Sequence, residues 1–452
     1  MSALDRVLNG RTLALAAVVL VLTIAGYTWL SGPATTGGRD VIDCSLDDMR
    51  YGDSIGMDTS RLADLQDELL WCLENERSFD TDRALTLLDS FLLETSTGIG
   101  GLDTANPLRA NNLAIRSDLI RMLVMRLKDA SYAPDLAPVK AKLREFGFTS
   151  DDYITWYEGS SYLVYTLAAV RQANRQFDDD DLQKFEEAAE RWLADLALPD
   201  GTLAPIGDTR LDASYKGART VDRTVDRVVH TDHETAVFFD HGKGYLLFRH
   251  PVNNTKPGTV LRHDLHVPFD FGSVWLWYDG SWRVRPVGYP GYALKTREDL
   301  DDRFNLNIQC ADSLGNDFTQ KDTDRWDLLG YLSSWRATAS VVIPKDAVQR
   351  AEHADRYELV FSYSLNSGED GAYERFTRNV TLYKGLQRME LVDHNPGNTR
   401  SYLMVSDDIN ITSSHTVSCG PDGKWSPGSN RVERSRRCSI GGAPVLAYAV
   451  RW

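Results

Sequence analysis

The period of the hydrophobic pattern changes once along the chain, and that change constrains the fold more than any other feature. From about residue 57 to 198 apolar residues recur at helical spacing: Leu62, Leu65, Leu69 and Leu70, then Leu85, Leu87, Leu88 and Leu92. Leu119, Leu123 and Leu127 mark a further helix, Leu163, Leu167 and Val170 another, and Phe185, Ala189, Trp192 and Leu196 a last one. Four consecutive aspartates from Asp178 open that last stretch, where the helix dipole favours negative charge. After about residue 230 the period becomes two, in runs such as TAVFFDHGKGYLLFRH and RNVTLYKGLQRMELVDH. Turn signals at His241-Gly242, Asp279-Gly280 and Lys384-Gly385 separate runs rich in Val, Tyr, Phe and Trp, which predicts an antiparallel β-sandwich. Helices first and strands second predict an α+β architecture, with a helical domain over 44–215 and a sandwich over 216–452. A crevice between the two is the default place for a ligand.

The first 43 residues follow neither pattern. Leu13 to Leu30 is uncharged and of bilayer-crossing length, preceded by Arg6 and Arg11. The positive-inside rule then puts 1–12 in the cytoplasm, 13–30 in the inner membrane as a single transmembrane anchor, and the body in the periplasm or outside the cell. A cleaved signal peptide is the alternative, because Ser31-Gly32-Pro33-Ala34 offers small residues for cleavage. Residues 31–43 read as a linker. Five cysteines fit an oxidising compartment, with Cys44–Cys72 and Cys419–Cys438 as local pairs and Cys310 left over. A net charge of −15 argues against nucleic acid as a partner, which needs a basic footprint, yet leaves room for a local basic cleft.

Three stretches carry residues suited to chemistry. His230, His233, His241, His250, His263 and His266 fall close together although the chain has only nine histidines. A neutral histidine at a crevice can move a proton near neutral pH, and His263, His266 and Asp270 also have metal-ligand types at no strong zinc spacing. Asn111 and Asn112 open the helix that runs to Lys128, as an N-cap or as amide donors for a carboxylate. Trp156 to Tyr162 brings Tyr157 and Tyr162, phenols able to exchange a proton, together with Glu158, which with Asp208 could form a glycosidase carboxylate pair. No P-loop, nucleophile elbow or dinucleotide fingerprint is present.

The order of these pieces resembles the heparinase II/III-like polysaccharide lyases, and more loosely the chondroitin AC and hyaluronate lyases. The resemblance runs over residues 100–395, through LRANN at 108–112, YEGSSYLVY at 157–165, LPDGTLAPIGDT at 198–209, HVPFDFGSVWLWYDG at 266–280 and RNVTLYKGLQRMELVD at 378–393. It implies an incomplete α/α toroid followed by a β-sandwich, and cleavage of a uronic-acid-containing polysaccharide by β-elimination. In that chemistry a hydrogen-bond donor neutralises the uronate so that the C5 proton can leave and the O4 bond can break. Asn112 matches the neutralising amide, with Arg109 or Arg116 as partner. Tyr162 matches the proton-transferring phenol, with Tyr157 as its substitute. His266, or His263, takes the second acid/base role. Glu158, Trp275 and Trp277 are expected on the substrate side, the indoles as stacking platforms or as core. Leu113 stands where the family has histidine, and Pro286 and Leu306 where it has metal ligands, so neither metal nor cofactor is expected. The alternatives are a non-catalytic glycan-binding or exopolysaccharide-assembly protein of the same fold, and a hydrolase using Glu158 and Asp208.

Overall fold

The computed structural model describes residues 44, 46, 59–98, 112–148, 154, 159–207, 209–215, 217, 221–250, 272–286, 309–311, 340–342, 344, 346–366, 373–394, 399–428, 431–441 and 443–452. Among the described residues six helices come first: α1 (Thr59–Glu74), α2 (Thr81–Gly98), α3 (Asn112–Lys128), α4 (Ala137–Phe146), α5 (Ser160–Phe177) and α6 (Asp180–Leu196). Of the leucines that set the helical period, Leu62, Leu65, Leu69, Leu70, Leu87, Leu88, Leu119, Leu163, Leu167 and Leu196 are buried in one core, and Leu85 packs against it half-buried. Leu127 is 58% exposed, because it lies in the last turn of α3, where the helix ends at the surface. Helix α4 goes beyond the expected set. Among its described side chains it offers Val139 and Leu143 to the core, one turn apart, too short a stripe to betray a period.

The aspartate run is divided between two helices. Asp178 adopts a left-handed conformation (φ 50°) and closes α5, its N–H donating to the Asn174 carbonyl. Asp179 caps α6, its carboxylate accepting from the N–H groups of Asp181 and Leu182. Lys140 of α4 lies 2.7 Å from the Asp179 carboxylate and 3.3 Å from that of Asp181, tying α4 to the start of α6.

The strands are all antiparallel and form two sheets. In the first, β1 (Arg227–His230), β2 (Glu234–Phe239), β3 (Gly244–Arg249), β4 (Val274–Tyr278) and β5 (Ser281–Val284) are consecutive neighbours. It continues through β12 (Thr399–Val405), β15 (Arg431–Gly441) and β14 (Thr416–Gly428), with β6 (Gln309–Ala311) also on β12. The second sheet runs β13 (Asn410–Ser413), β16 (Val445–Arg451), β11 (Arg388–His394), β10 (Tyr373–Tyr383), β9 (Arg356–Asn366) and β7 (Ser340–Val342), with β8 (Val348–Glu352) on β9. Asp279 and Gly280 both take positive φ (49° and 82°) between β4 and β5, as a two-residue type I′ hairpin requires.

Strands β2, β3 and β4 are buried along their whole length, which their alternation explains. Ala236, Phe238, Tyr245, Leu247, Trp275 and Trp277 share a core with the helices. Val237, Phe239, Leu246, Phe248, Val274 and Leu276 share the other core with the second sheet. The first sheet is thus the middle of three layers. Two disulfides join Cys44 to Cys72 and Cys419 to Cys438, the pairs expected from the sequence. Next to Cys44, Leu46 is buried in the helical core and its carbonyl accepts from Arg83 at 2.7 Å.

The two sheets are pinned by a polar group sealed from solvent. Arg378 of β10 donates through Nε and Nη2 to the two carboxylate oxygens of Asp393 on β11, at 2.7 and 2.8 Å. Its Nη1 reaches the Gly272 carbonyl beside β4 at 2.8 Å. Tyr448 (2.8 Å) and Ser401 also donate to Asp393 Oδ2, so the carboxylate accepts four hydrogen bonds. Among the described residues no helix is long and apolar enough to cross a membrane; the apolar run 13–30 lies outside them.

Candidate active site

Helix α3 opens at Asn112, and one turn later on the same side stands Arg116. Their side chains are 3% and 1% exposed. The register of α3 against α1 is held by Gln66, whose amide donates to the Leu113 carbonyl (2.8 Å) and the Ser117 hydroxyl (2.6 Å). Leu113 itself packs into the helical core. Arg116 is ion-paired with Asp67 of α1, and its guanidinium lies 5.4 Å from the ring centre of Tyr165 on α5. Tyr165 in turn meets Tyr162 edge-on at 6.4 Å. The Arg116 Nε–H is buried with no hydrogen-bond partner among the described residues. A buried guanidinium with an unused donor is an anion-binding feature.

The start of α5 is set by a distant segment. Gly159 (φ 117°) precedes it and bridges to Gly207. The Ser160 N–H donates to the Thr209 hydroxyl at 2.9 Å, and the Ser160 hydroxyl donates to the Ala204 carbonyl at 3.0 Å. Thr209, 49 residues away in sequence, therefore serves as a cap for the helix that carries both tyrosines.

The two tyrosines differ in access. Tyr162 is buried, whereas Tyr165 is 36% exposed. Desolvation raises the Tyr165 phenol above its ordinary value, Asp67 adds to that, and Arg210 and Arg116 oppose it. Tyr165 is thus a protonated, solvent-reachable phenol, and no sequence pattern singled it out from Tyr162.

A second polar group lies at the end of β1–β3. His230 Nδ1 and Thr235 Oγ1 are 3.2 Å apart, and Thr235 Oγ1 and His250 Nε2 are 2.8 Å apart, making a chain of hydrogen bonds from the surface inward. Glu234 is ion-paired with Arg249 and accepts from the Thr231 hydroxyl. Burial and then the Arg350 charge push His250 down to about 3; burial and then Arg249 push His233 down to about 4. Both imidazoles are neutral in ordinary buffers. His241 sits instead on the β2–β3 turn, at φ 54°.

Of the residues singled out from the sequence, Arg116 of α3 is linked to Tyr162 of α5 through Tyr165, and Asn112 stands one turn before Arg116 on α3. Trp275 and Trp277 do not form stacking platforms: both indoles are buried where the helices meet the first sheet, as the inward alternation of β4 dictates. Arg109, Tyr157, Glu158, Asp208, His263 and His266 lie outside the described residues.

Among the described residues, six helices followed by two packed antiparallel sheets fit an α+β, heparinase-like fold. Among solved structures the chain is similar to a heparan sulfate lyase HepC mutant from Pedobacter heparinus, with a TM-score of 0.51 and 12% identity over 81% of this chain and 64% of that one. It is similar to a heparinase III gene product with a TM-score of 0.52 and 11% identity, over 85% of this chain and 66% of that one. The lysine-methylated form of a heparinase III matches at 0.52 and 11%, over 94% and 72%. The chain thus spans a little under two thirds of the length of the first two structures. No protein-family model and no curated protein sequence matches it.

Proposed function

We propose that the chain is a polysaccharide lyase that cleaves a uronic-acid-containing glycan by β-elimination, with helices forming an incomplete α/α toroid against the sandwich. The observation that supports this is the contact of Arg116 on α3, one turn from Asn112, with Tyr165 on α5, which in turn meets Tyr162, in a fold similar to that of heparan sulfate lyases. Asn112 and Arg116 receive the uronate carboxylate and hold down the charge that develops as the C5 proton departs. Tyr162 exchanges that proton and returns it to the O4 leaving group, and His266 or His263, with Tyr157 as the alternative phenol, supplies the second acid/base role. Arg109 and Glu158 contact substrate. The body acts outside the inner membrane, tethered by residues 13–30.

The test is incubation with alginate, hyaluronan, chondroitin sulfate, heparan sulfate and polyglucuronate, following the ultraviolet absorbance of the unsaturated uronate. A rise in the native protein that vanishes in Tyr162→Phe supports elimination; a glycan cut without new absorbance refutes it. One observation favours a second reading, a glycan-binding protein without turnover. Leu113 fills the core where the resembling lyases carry a histidine, so no imidazole stands beside Asn112 from that position. Binding that survives Tyr162→Phe, with no absorbance from either form, selects this alternative.

A further inference from the structure

Two arginines of this chain meet a carboxylate on the same edge of the guanidinium, and they do so differently. Arg378 offers Nε and Nη2 to both oxygens of Asp393, and neither side chain has any solvent exposure. Arg116 donates to Asp67 through Nη2, to one oxygen. Its Nε–H, the other half of the same fork, is buried with no hydrogen-bond partner among the described residues. A planar carboxylate placed squarely on that edge would take both donors. Asp67 takes one.

The pair also differs in its access to water. The Arg116 side chain is 2% exposed and that of Asp67 50%, while Tyr165, which lies against the same guanidinium, is partly exposed as well. The cation is thus screened from solvent by two groups that are themselves in contact with it. The backbone of α1 is fixed beside this pair, because the neighbouring Gln66 bonds to the Leu113 carbonyl and the Ser117 hydroxyl of α3. Asp67 can therefore leave Arg116 by turning its own side chain, and its charge is hydrated as it turns. A buried guanidinium stripped of its counter-charge is strongly destabilising, so a site of this kind needs a carboxylate even when empty. A resident held by one hydrogen bond can give way to a guest held by two.

We propose that Asp67 is a resident carboxylate, which the uronate of the substrate displaces from Arg116 and which returns as the product leaves. The uronate rests on the lyase assignment above; the exchange of one carboxylate for another at Arg116 does not. A sugar whose carboxyl has been reduced to an alcohol has nothing to exchange.

Acetate tests the exchange without any glycan. Asp67→Ala opens the place of the resident, so acetate should raise the thermal midpoint of that variant saturably. Set against equal chloride, it should do nothing to the native protein or to Asp67→Ala/Arg116→Gln. The glycan arm is affinity electrophoresis of the full chain through alginate, heparan sulfate, polyglucuronate or carboxyl-reduced polyglucuronate. Asp67→Asn removes the competing charge and keeps the shape of the side chain. It should bind a uronate polymer that the native protein binds about tenfold more tightly, with no gain on the carboxyl-reduced polymer. An aspartate that merely orients Arg116 gives the opposite sign.

Weaker or unchanged binding of such a polymer by Asp67→Asn, or an acetate effect as large in the native protein, overturns the proposal. So does failure of both single variants to fold with or without acetate, which makes the ion pair structural. Elimination activity alongside unchanged binding by Asp67→Asn sinks the exchange and spares the lyase assignment. Acetate binding that depends on Arg116, with no elimination from any glycan, sinks the lyase assignment and spares the exchange.

Discussion

Lowering the pH should destabilise this protein through His250. Its imidazole has no solvent exposure, bonds to Thr235 through Nε2, and faces Arg350, Arg249 and the second imidazole of His233. The pKa is held down at about 3, against 6.5 for the unfolded chain. A depressed histidine contributes its full stability above the unfolded pKa and loses it as pH falls, because the unfolded state takes up the proton first. At about pH 5, roughly 1.5 pH units below the unfolded value, the loss from this one group is about 2 kcal/mol. His233, held at about 4, acts in the same direction. The assay is urea unfolding at about pH 8 and about pH 5, for the native protein and for His250→Leu. The substitution removes the Thr235 bond at both pH values, so that cost cancels in the comparison. The native protein should lose about 2 kcal/mol more than the variant on acidification. Equal losses would falsify the assignment of acid sensitivity to this imidazole.

Three other outcomes follow from features outside the site. Asp393→Asn should cost about 3–5 kcal/mol in urea unfolding, because it leaves the Arg378 guanidinium buried without its counter-charge; the Arg378→Met, Asp393→Leu double variant should recover most of that. Asp179→Ala should cost about 1 kcal/mol of stability by removing the α6 cap, and a variant as stable as the native protein would rule that cap out as a contributor. At Gly280 the space beside the backbone is open, so Gly280→Ala should cost about 1–2 kcal/mol from the left-handed conformation alone, measured as a shift in thermal midpoint.

Much of the fold was legible in local sequence because the signals involved are themselves local. The change of period at about residue 230 separates α6 from β1, both cysteine pairs lie close in sequence, and Asp279-Gly280 is a turn by its chemistry alone. Helix α4 escaped because Val139 and Leu143 are too few to define a stripe. Within the candidate site, Asn112, Arg116 and Tyr162 are the described residues singled out from the sequence. What joins them depends on contacts made across the helices: Gln66 with Ser117, 51 residues apart, and Thr209 with Ser160, 49 apart. Tyr165 differs from Tyr162 in exposure, a property set by how α5 packs and not by any residue near it in sequence. The same applies to Trp275 and Trp277, whose alternation left open which face of β4 is covered by helices.

The Cys44–Cys72 bond also has a mechanical consequence. The bond ties residue 44, the first described residue, to α1 at Cys72, two residues before the helix ends, so a pull applied to the chain before Cys44 is handed to α1 there. Leu46 and its Arg83 contact sit behind this point, shielded from the load. With the bond intact, tension is carried along a covalent path into the middle of the helical core. With it reduced, the same force would peel Leu46 out one weak contact at a time, so the yield force under stretching should fall sharply in reducing buffer.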